Sequence, residues 1–419
     1  MEIIGRPKGT NDVYFEYGEK ILYIRALVEN IAKEYNYSYF RTPTFERTEV
    51  FKRGVGDTTD IVNKETYDFV DRGNRNMTLR PEGTAAVVRS IIENKLYINP
   101  INKVWYFMPM FRYERPQSGR LREHFQIGFE SFGSSNPKMD AEIISIPVNI
   151  LKRLGLKGIK VNINSLGDME SRNNYKEALI EYFKPHLDLL CDDCKDRFNR
   201  NPLRIIDCKF DSELEVIKNA PTILDYLNDE SKEYFNLVKH YLDVLDIEYI
   251  VNPKIVRGLD YYTHTVFEIT AEIKDFGSQN VLCGGGRYNN LVESLGGPAT
   301  PAVGFGMGIE RLINALDMEN IEFNYKNLDA FICYISDSEI DYSFDLVNEL
   351  RSNGLYADTD YLNKNLKGQF KESDNANSKF VIIIGEDEIK TNILTVKNNS
   401  TKEEYKINRN EIIKFLKEN

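Results

Sequence analysis

One stretch constrains the fold more than any other. Lys103 to Tyr113 is dense in aromatic, strand-forming side chains, a polar turn containing Pro116, Ser118 and Gly119 follows, and Phe125 to Glu130 is again extended in character. Two such runs around such a turn predict an antiparallel hairpin with a long tip. A strand sends alternate side chains to opposite faces, so Arg112 and Glu114 share one side of it. The fixed donor fork of a guanidinium suits a phosphate, and a neighbouring carboxylate suits an exocyclic amine. Arg115, Arg120 and Arg122 continue the cationic tip. On spacing alone these residues fit a solvated surface hairpin equally well.

The rest of the chain arranges itself around that hairpin. Ile24, Leu27, Val28, Ile31 and Tyr35 recur on one helical face and predict a helix over 19–35. Pro43 then starts an extended segment, and a second helix begins after Pro81 with Ala85, Val88 and Ile92 on one side. Charged, helix-forming sequence broken by Pro185, Pro202 and Pro221 follows from about Ser171 to His240, which reads as an inserted helical module. Strand signals return at Thr265–Ile269 and Val281–Leu282, then Gly304 to Leu312 reads as a glycine-rich strand feeding a helix. A fresh alternation starts after Asn327, with apolar runs Ala330–Ile335 and Phe380–Gly385 around a helix at Phe344–Leu350, the pattern of a small α/β domain. The expected organisation is therefore α+β: an antiparallel sheet flanked by helices over 1–170 and 241–325, a helical insertion over 171–240, and a C-terminal α/β domain over 328–419.

Composition narrows the function classes. With 419 residues, 42% hydrophobic and 28% charged, the chain suits a large catalytic domain with smaller attachments, and no apolar run reaches the ~18 residues of a membrane span. The N-terminal residues offer no secretion signal, and five scattered cysteines fit reduced thiols, so a cytoplasmic location is expected. A net charge of -11 argues against bulk attraction to a polyanion, so an RNA partner must be held by local basic clusters.

Three further runs carry candidate chemistry. Arg311 enters a helix just after a strand with glycine at every second position, where a terminal phosphate finds both a cation and a helix N-terminus. Arg257 to Glu268 is denser in polar and aromatic groups than an unpartnered core strand tolerates, although an edge strand with surface tyrosines reads the same way. Gly284-Gly285-Gly286-Arg287-Tyr288 puts backbone against whatever lies there; a flexible turn is the plainer alternative.

Together these runs resemble the class II aminoacyl-tRNA synthetases and, within them, the bacterial histidine-specific branch. The likeness covers nearly the whole chain. It rests on Lys8–Asp12, Thr78–Thr84, the hairpin run Phe111–Pro116, Arg257–Tyr262, Gly284–Tyr288 and the closing Glu310-Arg311. The resemblance implies activation of L-histidine with ATP and its transfer to tRNA(His), magnesium accompanying ATP, a homodimer formed through the first helix and the strand after Pro43, and an anticodon-binding role for the C-terminal domain. It implies Arg112 and Arg257 as catalytic cations at the α-phosphate, with Glu114, Arg120, His124 and Arg311 completing the ATP site. Glu82, Gly83, Thr84, Gln126, Glu130, Tyr261, Tyr262 and Tyr288 would form the histidine pocket. A neutral imidazole offers one donor and one acceptor, and a site presenting both complements can exclude other amino acids by ~10⁴ without editing.

Two departures from the family pattern stand out. His124-Phe125-Gln126 stands where the family often has Phe-His-Gln, which puts the adenine-stacking aromatic on His124, and His264 replaces a small residue and is expected at the surface. Cys191, Cys194 and Cys208 supply three thiols of a zinc set with no fourth ligand assigned, His186 being the nearest candidate, so zinc is not expected. Lys364, Lys367, Gln369 and Lys371 form the expected RNA-facing cluster. A non-catalytic regulatory relative of the same fold is the main rival, and a threonine, proline or glycine enzyme is another. The C-terminal domain argues against the first, and the Tyr261-Tyr262 and Gly286-Arg287-Tyr288 runs against the second.

Overall fold

In chain order the strands of the N-terminal unit are β1 (Ser38–Tyr39), β2 (Phe45–Arg47), β3 (Tyr67–Val70), β4 (Asn76–Leu79), β5 (Asn102–Phe111), β6 (Glu123–Phe132), β7 (Ile159–Ser165), β8 (Tyr249–Val251), β9 (Thr263–Ala271), β10 (Val281–Arg287) and β11 (Ala302–Gly308). Those of the C-terminal unit are β12 (Ala330–Tyr334), β13 (Ala357–Thr359), β14 (Phe380–Ile384), β15 (Ile393–Asn398) and β16 (Glu404–Asn408). This computed structural model describes residues 3–419 except 57, 58, 60, 61, 63, 118, 209, 256–258, 260, 275, 277–279 and 324–326. The chain forms two compact units, 1–323 and 324–419.

Eight strands make the main sheet in the order β1-β5-β6-β11-β10-β9-β7-β8. The terminal pairs β1/β5 and β7/β8 run parallel and every inner pair is antiparallel. The expected hairpin is β5–β6, paired from Asn102↔Phe132 to Phe111↔Glu123. Its ladder extends one rung further, where the Arg112 N–H donates to the Arg122 carbonyl at 2.8 Å.

Strand alternation divides this sheet into two unlike faces. Trp105, Phe107, Ile127, Phe129, Val303, Phe305 and Met307 point to one side and form the large core with the helices Phe15–Glu34 and Pro137–Arg153. Tyr106, Met108 and Met110 point to the other, where Val87, Val88 and Ile91 of the helix Thr84–Glu93 cover part of the surface. The first helix starts four residues before the predicted window. It has Ile24, Val28 and Ile31 fully buried in its own chain's core, so its apolar stripe carries no argument for a dimer.

The helical segment has a small core of its own, which includes Tyr175, Leu179, Phe183, Cys194, Cys208 and Leu227. The following helix, Asp229–Val244, buries Phe235, Val238 and Leu242 in the main core. His186, the expected neighbour of the cysteines, packs on the Tyr182 ring at 5.7 Å, and Asp211 joins the three thiols in its place.

In the C-terminal unit β12 lies parallel to both β13 and β14, and β15 and β16 continue antiparallel. The expected RNA-facing cluster loses Gln369 to the core and keeps two exposed lysines one helical turn apart. Residues 366–375 form a helix, on which alternate positions do not share a face, and Gln369 turns inward to bond the Tyr334 N–H (2.9 Å) and the Tyr334 carbonyl (3.0 Å). Lys364 pairs with Glu372, leaving Lys367 and Lys371 exposed. Among the described residues no helix is long and apolar enough to cross a membrane.

Candidate active site

The site is built on the second face of the main sheet, starting from the glycines of β11. Gly304, Gly306 and Gly308 point there while Val303, Phe305 and Met307 fill the opposite core. The register sets Gly304 between Glu130 and Gly286, and Gly306 between Gly128 and Gly284. The three glycines do different jobs. A Cβ on Gly304 would fall 1.7 Å from Glu130 Oε2, and one on Gly306 would lie 3.2 Å from Gln126 Nε2, whereas at Gly308 no described residue stands within 4 Å. At one end the missing side chain makes room for protein; at the other it floors a cavity of about 440 Å³.

Cations dominate the rim above Gly308. Arg112 leaves the end of β5 with its Nε held by the Pro81 carbonyl at 2.8 Å, and its Nη1 lies 3.9 Å from Glu114, which Arg120 approaches at 3.4 Å from across the tip. Arg311, in the first turn of the helix Ile309–Met318, donates to the Val281 carbonyl at 2.8 Å. Burial and the charges of Arg120 and Arg112 make its proton easier to lose than an ordinary arginine's, the signature of cations crowded without enough anions. His124 lies among them. Burial, then Arg112 and Arg311, push its pKa down to about 3, so the ring is neutral, and among the described residues its buried Nδ1 has no partner. Arg122 does structural work instead: it lies 4.0 Å over the Tyr113 ring, and its N–H holds the Gly9 carbonyl at 2.7 Å.

The other end of the cavity is polar and buried. Both carboxylate oxygens of Glu82 accept backbone N–H groups at the start of the helix Thr84–Glu93, from Thr84 (2.7 Å) and Ala85 (2.8 Å), and burial raises its pKa. Glu82, Thr84, Tyr106, Gln126, Tyr261 and Tyr262 line the wall. Glu130 and Tyr288 lie one layer below it. Glu130 accepts from the Thr84 hydroxyl (2.7 Å), the Tyr106 hydroxyl (3.4 Å) and the Tyr288 hydroxyl. Burial lifts its pKa to about 8 despite those donors. Gly83 and Gly128 pack flat on the Tyr106 ring, where a Cβ on either would come within 2.4 Å and 2.1 Å of Tyr106 Cζ.

Arg112, Glu114, Arg120, His124, Gln126 and Arg311 thus share one cavity with Glu82, Thr84, Tyr261 and Tyr262. Arg257 lies outside the described residues. Tyr106 was not anticipated, and its signal was Gly128 standing opposite it in the hairpin, since a mid-strand glycine marks a close approach. Glu310 was missed as well. It lines the cavity, accepts the Phe125 N–H at 2.8 Å and has its pKa pushed up to about 7 by burial.

Two residues from the flagged runs serve elsewhere. His264 is half-buried rather than exposed: it has φ +46°, lies tilted against the Tyr234 ring at 5.0 Å, and burial and the Arg287 charge lower its pKa. A bulge between Gly286 and Arg287 in the β9–β10 pairing turns the chain inward there, which residue types alone do not disclose. Arg287 is fully buried, with Nε 3.1 Å from both oxygens of Asp140, while the Tyr234 hydroxyl donates to Asp140 at 2.8 Å.

A mainly antiparallel sheet floored with glycine, with an arginine-rimmed nucleotide cavity between its hairpin and a helix N-terminus, defines the catalytic unit of a class II aminoacyl-tRNA synthetase. Residues 9–184 and 193–312 match the family described as Histidyl-tRNA synthetase, and 329–419 match an Anticodon binding domain. The chain belongs to the histidyl-tRNA synthetase family. It is 50% identical to the histidine–tRNA ligase of Oceanobacillus iheyensis over 415 residues, covering 98% of this chain and 97% of the relative. It is 47% identical to that of Bacillus subtilis, covering 99% and 98%. The crystal structure of apo Staphylococcus aureus histidyl-tRNA synthetase superposes with a TM-score of 0.84 at 42% identity, covering 99% of this chain and all of that one.

Proposed function

We propose that this chain joins L-histidine to ATP as histidyl-adenylate and passes the histidyl group to the 3′ end of tRNA(His), in the cytoplasm and as a homodimer. The observation that carries this reading is the convergence of Arg112, Arg120 and Arg311 on one cavity whose far end is lined by Thr84, Gln126, Tyr261 and Tyr262. In the first step a carboxylate oxygen of histidine attacks the α-phosphorus, the bond to the bridging oxygen breaks, and diphosphate leaves. Negative charge gathers on the phosphoryl oxygens, and arginines already fixed in place stabilise it as it forms. Arg112, anchored through Nε to the Pro81 carbonyl, keeps its terminal nitrogens for the α-phosphate and the histidine carboxylate. Arg257 adds a second cation there, and Arg311 and Arg120 take the outer phosphates. His124, neutral and buried, offers a flat face to adenine, with Glu114 at the exocyclic amine. In the second step the terminal tRNA hydroxyl attacks the histidyl carbonyl and AMP leaves.

Glu268 and Glu310 also line the cavity, and these hard oxygen donors fit a divalent cation. Magnesium, when bound with the triphosphate, supplies neutralising charge across its oxygens. Glu82 and Thr84 serve the α-amino group. Gln126, Glu130, Tyr262 and Tyr288 surround the imidazole and its neighbourhood, Glu130 and Tyr288 from the layer beneath, and Gly83 and Tyr261 complete the pocket. The catalytic domain comprises 1–170 and 241–325, with the helical insertion at 171–240 and the anticodon-binding domain at 328–419.

ATP–diphosphate exchange tests the reading: histidine alone among the amino acids should stimulate it, and exchange stimulated by threonine, proline or glycine, or by none, overturns it. Deletion of everything after Asn327 is expected to spare exchange and cripple tRNA charging. Equal loss of both would give that domain a folding role instead.

A further inference from the structure

Zinc was set aside because three cysteines lacked a fourth partner, and the folded chain provides one. Cys191 precedes the helix Asp192–Arg200 and Cys194 sits in its first turn, while Cys208 and Asp211 come together from the loop after the short helix Pro202–Ile205. The three sulfurs and a carboxylate oxygen of Asp211 all lie within 4.8 Å of one another. Cys191 Sγ and Cys208 Sγ are 3.7 Å apart, and all five cysteines of the chain are free thiols. That separation is far beyond the ~2.05 Å of a disulfide. It matches the ~3.8 Å edge of a tetrahedron drawn around a metal with ~2.3 Å bonds to sulfur.

We propose that Cys191, Cys194, Cys208 and Asp211 bind a structural zinc ion. The donors form two pairs of one spacing, Cys-x-x-Cys and Cys-x-x-Asp, the interval common in zinc sites. Three soft sulfurs with one carboxylate suit zinc better than magnesium or calcium, which take oxygen ligands. Cys194, Cys208 and Asp211 are buried and Cys191 is half-buried, so the set is closed, as in structural rather than catalytic centres. The Cys191 N–H donates to Asp211 at 3.0 Å and orients the carboxylate from outside the coordination sphere.

The position gives the ion a consequence for the active site. Asp207, next to Cys208, lines the cavity, and Cys194 and Cys208 share their small core with Tyr175 and Leu179 of the helix Met169–Phe183. From that same helix Arg172 reaches the Tyr262 carbonyl at 2.8 Å. Zinc therefore ties the loop bearing Asp207 to the element that braces the tyrosine wall.

Elemental analysis of the full-length protein, purified under reducing conditions without chelator, should find one zinc per chain. Removal of that zinc and addition of Co²⁺ alone should give the visible bands and the thiolate-to-cobalt charge-transfer band of a tetrahedral site. Cys208→Ser should abolish both signals, and Asp211→Asn should release zinc to a competing chelator at least about tenfold more readily. The cobalt spectrum of the unsubstituted protein decides the matter even where a variant fails to fold. Absence of zinc after reconstitution, with all three thiols open to alkylation in the native protein or with a Cys191–Cys208 disulfide, would overturn the proposal. Unchanged zinc release by Asp211→Asn would overturn the assignment of the fourth ligand.

Discussion

On one face of the main sheet Trp105, Phe129 and Phe305 stack in succession, with ring centroids 6.1 Å and 5.3 Å apart, inside a core of apolar side chains. On the other face the same strands present Gln126, Glu130 and the glycines of β11. The first face tolerates exchange among apolar groups of similar volume because dispersion and burial have no direction. The second depends on particular atoms, since a buried donor or acceptor left without its partner costs ~1–3 kcal/mol. A position's sensitivity is thus set by the side of the strand it points from.

The sharpest way to break the contrast is Gly304→Ala. Its methyl would meet Glu130 Oε2 and the Phe129 carbonyl, with no flexible neighbour to give way at the backbone. Overpacking there is expected to cost about 3 kcal/mol or more and to abolish histidine-stimulated exchange, read by thermal denaturation beside the exchange assay. Gly308→Ala is the control, because its methyl enters open cavity. It should leave the melting temperature unchanged and raise only the KM for substrates; equal damage from both would erase the distinction between the two ends of the floor.

Arg311→Ala and Arg112→Ala come next, each expected to lower kcat for exchange by about 10²–10³-fold. Because Arg311 is crowded by Arg112 and Arg120, its removal should not destabilise the free enzyme, and a large fall in melting temperature would refute its role as a waiting phosphate ligand.

Glu130→Gln probes the polar layer through pH. The folded carboxyl holds its proton up to about 8, whereas the unfolded one releases it near 4.5, so in that window the folded state binds more protons and stability falls as pH rises. The glutamine variant should lose this slope, measured as denaturation midpoints across the window. A slope unchanged by the substitution would place the titrating group elsewhere. Phe305→Leu, on the apolar face, should have the smallest effect: about 1–2 kcal/mol of stability, with exchange activity kept within a few-fold.

Much of this arrangement is legible in residue order, and the failures are instructive. The hairpin, the helix after Pro81 and the glycine strand before Arg311 follow from alternation, breakers and the absence of side chains, all local signals. Of Lys364, Lys367, Gln369 and Lys371, Gln369 alone faces the core, because two positions along a helix cross to its other side while Lys367 and Lys371 stand one turn apart. The depth of Glu130 and Tyr288 is not legible in residue order. The layer each occupies depends on which side chain from a distant segment stands in front, and Thr84 does so for Glu130.

By itself the order of residues determined which side chains share a strand face, where helices start, and which arginines stand beside glycine or a helix N-terminus, because those relations run through a few consecutive backbone torsions. Only the tertiary structure decided that Asp211 rather than His186 meets the three thiols, that His264 is turned inward against Tyr234, and that Arg287 is spent on Asp140. Those pairings join segments up to 147 positions apart. They arise because a buried polar group must find a partner wherever the packed core happens to offer one.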